Sequence, residues 1–240
     1  MTDDSRRGSN AFALVATVAL LVLPTHAFAV QWTKSTEGDN GTYRRFGNVL
    51  EYSWVHKDAR RGDLEMYLSF TASDFDAMQT AYRQASHGID RYGRFVFQDP
   101  FASSLPVVAG ELQGLASANG VLVADLALSF VQSLKYDDDN HGYQRYAVET
   151  LLDGTGDCSD TAVLLSGLFE ALGFRWTFLE FPNHLAVGLA GDPSVPGQYY
   201  ALHGFRYFYC ESTGSGYAVG EAPSDYAQRS ARVLEPWDRV

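Results

Sequence analysis

The strongest chemical signal in the chain is a cysteine in a Gly/Asp turn, followed at a distance by a histidine. Cys158 stands in Gly154-Thr155-Gly156-Asp157-Cys158-Ser159-Asp160, and an apolar run at helical spacing follows. Asp157 and Ser159 are N-cap residue types, and Gly173 suits the position just past a helix C-terminus. The spacing predicts a helix ending near Leu172, with Leu165, Leu168, Phe169 and Leu172 forming one buried stripe. The sulfur would then lie at a helix N-terminus, where free N–H groups and the macrodipole favour a thiolate. After the helix come an expected strand over 175–181, a Pro182-Asn183 corner, and a second strand over 184–190 that opens with His184. A strand end can reach a helix start, and an imidazole beside a thiol makes a nucleophile–base pair. His26, His56, His87, His141 and His203 are less well placed, being far upstream or in loops. Alone, a histidine at a strand end is more often a surface or capping residue; beside the cysteine turn it becomes a candidate base.

The elements that must hold this pair read as α+β. Alternating aromatic segments at 49–56 and 64–70 predict a β-hairpin, and 30–40 reads as loose chain. Helical spacing is expected from Asp74 to about Ala85, and 88–100 reads as a short strand or loop around 95–97. Two helices over 104–118 and 121–134 meet at Asn119-Gly120, the second apolar almost all round and so buried. The acidic stretch 136–142 lacks the Gly and Glu offsets of a calcium loop and reads as a solvated turn. Segments 198–202 and 205–211 flank His203-Gly204 as a second hairpin. One buried helix is therefore followed by three or four antiparallel strands.

Whole-chain properties narrow the class. The 240 residues suffice for a sizeable core, and a hydrophobic fraction of 46% with 14% aromatics argues against disorder. A net charge of −11 without a basic cluster argues against nucleic acid as a partner. Arg6 and Arg7, the apolar run from Ala11 to Leu23, and Ala27-Phe28-Ala29 give the order of a secretory leader. Residues 1–29 are thus expected to be removed, leaving a secreted or periplasmic protein with no stable membrane anchor. In an oxidising compartment the two cysteines, Cys158 and Cys210, are also candidates for a disulfide.

Residues 149–220 resemble the transglutaminase-like superfamily of papain-related cysteine enzymes, in its exported bacterial and archaeal branch. ETLLDGTGDCSDTAVLLSGLFEALG is similar to the nucleophile motif, FPNHLAVGLA to the histidine strand, and FRYFYCESTGSGYAVGE to the segment bearing the third residue. FVQSLKYDDD resembles the stretch leading into the nucleophile. The resemblance implies a papain-like core over 131–240, its nucleophile helix on an antiparallel sheet. An N-terminal hairpin and helical region over 30–130 would form one compact unit with it. It further implies Cys158 as nucleophile, His184 as general base and Glu211 as orienting acid, where the family more often has Asp. With side chains alternating along a strand, Glu211 facing the site turns Cys210 into the sheet packing, as a buried free thiol. Related folds place a polar side chain at the oxyanion, for which Gln132 is the candidate; a buried helix face explains Gln132 equally well. Asp157 and Asp160 read first as helix-capping charges. Some relatives hold calcium with acids beside the cysteine, so a calcium site at these two residues is also implied, though no cofactor is required.

Together these readings give an exported thiol hydrolase cleaving an amide bond in a protein or peptide through an acyl-enzyme. Transfer of that acyl group to an amine, and a non-catalytic binding domain on the same fold, are the alternatives. Oligomeric state is open.

Overall fold

The computed structural model describes residues 34–37, 41–46, 49–56, 63–71, 92–99, 101–138 and 144–236. The expected leader at 1–29, the helix expected at 74–85 and residues 139–142 of the acidic stretch lie outside them. The described chain is α+β.

Four strands, β1 (Lys34–Glu37), β2 (Gly41–Phe46), β3 (Val49–His56) and β4 (Leu64–Thr71), form an antiparallel meander. Helices α1 (Arg94–Phe97), α2 (Leu105–Asn119), α3 (Val123–Gln132) and α4 (Ala147–Asp153) follow. Two short strands, β5 (Lys135–Tyr136) and β6 (Thr155–Gly156), pair in parallel and lead into α5 (Cys158–Ala171). The remaining strands are β7 (Trp176–Phe181), β8 (His184–Gly191), β9 (Tyr199–Leu202), β10 (Phe205–Cys210) and β11 (Arg232–Leu234). They form an antiparallel sheet in the order β11-β7-β8-β10-β9.

Helix α5 is the centre of the packing. Its start is fixed by Asp157, whose side chain accepts from the Ser159 and Asp160 N–H groups, and its end by Gly173 at φ 75°. Every residue from Asp160 to Phe169 is buried, so the helix is enclosed all round and does not present the single stripe that the spacing predicts. The reason is that α2, α3 and α4 pack around it while β7 and β8 cover another side. Gly167 permits this closeness, since a Cβ there would lie 2.8 Å from Leu105 Cδ1 and 3.1 Å from Ala147 Cβ.

The sheet has two different faces, as alternation along each strand requires. Trp176, Phe178, Leu185, Val187, Leu189 and Cys210 join the core around α5. Leu179, Phe181, Ala186 and Tyr209 form a second, smaller cluster, closed by Tyr200, Ala222, Tyr226, Ala231 and Val233. A strap over 221–231 therefore lies across the outer face. The β-meander docks on α3 through Tyr52, which hydrogen-bonds Ser133, and through Trp54, edge-on to Phe130 at 5.6 Å.

Two further expectations need correcting. The 30–40 stretch contains β1, held by pairing with β2 that only the folded register reveals. The 88–100 stretch holds the short helix α1 in place of a strand or loop. Residues 147–153, for which the spacing predicts no element, form α4, ended by Gly154 at φ 68°. Among the described residues no helix is long and apolar enough to cross a membrane.

Gly220 launches the strap at φ 94°, and a Cβ there would lie 2.2 Å from the Pro196 carbonyl oxygen. Backbone cannot swing aside as a flexible side chain can, so Gly220→Ala is expected to cost about 1–3 kcal/mol. A urea titration showing an unchanged midpoint would contradict this account of the strap.

Candidate active site

Cys158 is the first residue of α5 and is half-buried. The first turn around it is tightly tied. Asp157 Oδ1 accepts from Ser159 N at 2.8 Å, Asp160 N at 2.9 Å and Ser159 Oγ at 2.8 Å. Thr161 donates its N–H to the Asp157 carbonyl at 3.0 Å. The Cys158 N–H is the first-turn donor for which the described residues supply no acceptor. Asp160 accepts through both oxygens. Gln144 Nε2 and Arg145 N meet Oδ1 at 2.8 and 3.0 Å, and Arg145 Nη1 and Asp157 N meet Oδ2 at 2.7 and 3.3 Å. Burial, then the charge of Asp157, push the Asp160 carboxyl up to about 6, with Arg145 pulling the other way.

His184 opens β8, opposite Phe181 across the Pro182-Asn183 turn. Glu211 follows β10, and the ladder Cys210↔Val187 holds that strand beside β8. His184 Nε2 lies 3.1 Å from Glu211 Oε2. The Tyr209 hydroxyl donates to the same oxygen at 2.7 Å, while Thr213 donates N–H and Oγ1–H to Oε1 at 3.0 and 2.6 Å. Burial alone would raise the Glu211 value; the bond and charge of His184, with Thr213 and Tyr209, lower it from 4.5 to about 2. For His184, burial alone would lower the value. Cys158 beside the ring, then the hydrogen bond and charge of Glu211, raise it from 6.5 to about 9. With Nε2 held by the acid, Nδ1 is the ring nitrogen left for the sulfur. Thiol, imidazole and carboxylate thus follow one another in a line, the sulfur outermost and Glu211 only 1% exposed. Such a line can hold a thiolate–imidazolium pair and move a proton between sulfur and ring.

No family model, curated protein or solved structure matches this chain.

The other sequence candidates fall elsewhere. Gln132 is buried and gives both amide hydrogens to backbone carbonyls, of Glu211 at 2.8 Å and Tyr217 at 2.9 Å. It therefore ties the end of α3 to the loop bearing Glu211, with both amide hydrogens committed to backbone where the resemblance implies an oxyanion donor. Asp160, already surrounded by four donors including a guanidinium, does not fit a calcium ligand. Among the described residues no group of three His, Cys, Asp or Glu is arranged to hold a metal. Cys210 is fully buried, and burial pushes its thiol up; it and Cys158 are both free.

Sequence reasoning missed four supporting groups. Tyr209 lies two residues before Glu211 on the same strand face, which alternation could have indicated. Thr213, two residues after, bonds the carboxylate as short polar side chains do in turns. Arg145, ion-paired with Asp160 and with Asp153 at 3.2 Å, carries no local signal. Neither does Tyr226, whose ring stacks on His184 with centroids 4.4 Å apart and planes 18° from parallel.

Two outcomes are expected. Arg145→Ala leaves Asp160 as a buried charge without its ion pair and should cost about 3–5 kcal/mol in denaturant unfolding. Because the folded value of Glu211 is depressed, its contribution is present above about pH 4.5 and lost as pH falls through about 2. The melting-temperature gap between wild type and Glu211→Gln should therefore narrow between pH 5 and 2.5. A gap that stays constant would remove the ionic account of this carboxylate.

Proposed function

We propose that this protein is an exported thiol hydrolase that cleaves an amide bond in a protein or peptide, built on a papain-like, transglutaminase-type core. The observation that carries the reading is the imidazole of His184, bound through Nε2 to buried Glu211 and with its other edge toward the sulfur at the start of α5. The order nucleophile helix, histidine strand, acid strand, on an antiparallel sheet, also fits that kind of core.

The chemistry uses the chain's own groups. The Cys158 thiolate attacks the carbonyl carbon, and the carbonyl oxygen gains the negative charge. The Cys158 N–H, at the positive end of the helix, is the donor available to that oxyanion. Protonated His184 gives its proton to the leaving nitrogen as the C–N bond breaks, which releases an amine and leaves a thioester. Neutral His184 then takes a proton from water as the water oxygen attacks the thioester. The acid product leaves, and the thiolate–imidazolium pair returns. Glu211 keeps its charge throughout and fixes which ring nitrogen faces it. Acyl transfer follows the same first half and differs only in an amine replacing the water.

A quenched fluorescent casein substrate tests this. Cys158→Ala and His184→Ala should each lower kcat by at least about three orders of magnitude, and Glu211→Gln by roughly two. Wild-type activity should fall as pH rises through about 9, where His184 loses its proton. Adding a primary amine and assaying its incorporation separates transfer from hydrolysis. Full activity in Cys158→Ala would refute the assignment.

A further inference from the structure

The His184 ring has two edges and two faces. Cys158 and Glu211 occupy the edges; Tyr226, from the strap, covers one face at a centroid distance of 4.4 Å. An 18° interplanar angle makes this a parallel stack. Phe181, 5.1 Å from the Tyr226 ring, supports it from the end of β7.

The strap is fastened where this ring needs it. Tyr226 N and Ala227 N donate to the Pro223 carbonyl at 2.9 and 2.8 Å, which folds the strap into a tight turn. Gln198 grips that turn twice, donating Nε2–H to the Tyr226 carbonyl at 3.2 Å and accepting from Gln228 N at 2.6 Å. The Tyr200 hydroxyl donates to the Arg229 carbonyl at 2.7 Å. These contacts hold the backbone on both sides of Tyr226 against the sheet.

We propose that Tyr226 is a positioning residue of this site. Its ring fixes the imidazole plane so that one nitrogen stays on Glu211 and the other on the sulfur, and its π face stabilises the imidazolium. This role rests on the thiol-hydrolase reading. An imidazole held only by two edge contacts can still rock about the line joining them, and a stacked ring blocks that rocking. An electron-rich face against a cation adds attraction and keeps water from one side of the His184–Glu211 bond. The charged or titratable groups that face His184 are Cys158 from α5, Glu211 after β10 and Tyr226 itself.

Two variants separate this role from simple packing. Tyr226→Leu keeps apolar volume and removes the π face; Tyr226→Phe keeps the ring. The first readout is the rate of Cys158 alkylation by iodoacetamide against pH, with Cys210 buried. In the leucine variant, the step marking loss of the imidazolium proton should move down by about 0.5–1 pH unit. The second readout is turnover of the quenched casein, where kcat should fall about tenfold with KM little changed. Tyr226→Phe should restore the pH step and most of the turnover. An unshifted step in Tyr226→Leu, or a phenylalanine variant as defective as the leucine one, overturns the proposal. Alkylation needs no turnover, so wild-type protein that cleaves nothing would sink the hydrolase reading while the role of Tyr226 is still read out.

Discussion

A carboxylate can leave water only where donors replace the water it gives up, and the site depends on that constraint being met at Glu211. Four donors converge on its two oxygens, from a strand start, a strand end and the loop that follows. None of them is adjustable alone. Tyr209 and Glu211 share a sheet face because they are two apart on one extended segment. Thr213 arrives through the turn after β10, and His184 arrives because β8 pairs beside β10. Satisfying the acid therefore sets the position of the imidazole, and the imidazole in turn sets what the sulfur meets.

A second buried acid secures the other side of the cysteine by a different balance. Asp160 is also surrounded by donors, yet its value is raised where that of Glu211 is lowered. Both lose water. The difference lies in their neighbours: Asp157 repels Asp160 from the same helical turn, while Glu211 faces a histidine that carries the compensating charge. Arg145 draws the chain before α4 onto the α5 start, and Thr161 reaches Ser212 at 3.0 Å to bind that same turn to the loop beyond Glu211. Helix and sheet are thereby cross-linked on both sides of the sulfur, which fixes its approach to His184 through the backbone that carries it.

The two sheet faces divide the work. The inner face buries Cys210, Val187 and Trp176 against α5 and supplies apolar burial. The outer face carries His184 and Glu211 toward the end of the sheet nearest the helix start, where the strap closes over them. The same alternation that hides one cysteine thus exposes the acid to its histidine. Gln132, buried at the end of α3, shows how a polar residue in this neighbourhood can serve that geometry through bonds to backbone carbonyls.

The sequence by itself determined what depends on near neighbours. The start of α5 at the cysteine, its glycine stop, the strand opening with His184, the β9–β10 hairpin and the opposite facing of Cys210 and Glu211 all follow from caps, turns and a period of two. Those signals act within a few residues, where chain stereochemistry dictates the outcome. The tertiary structure alone decided the rest: that α5 is enclosed on every side, that β1 is a strand, that Gln132 turns to backbone carbonyls, and that Arg145 and Tyr226 reach the site. Arg145 is 15 residues from Asp160, and Tyr226 is 42 residues beyond His184. No local rule places them, because which distant groups meet is settled by how sheet, helix and strap bury their surfaces against one another.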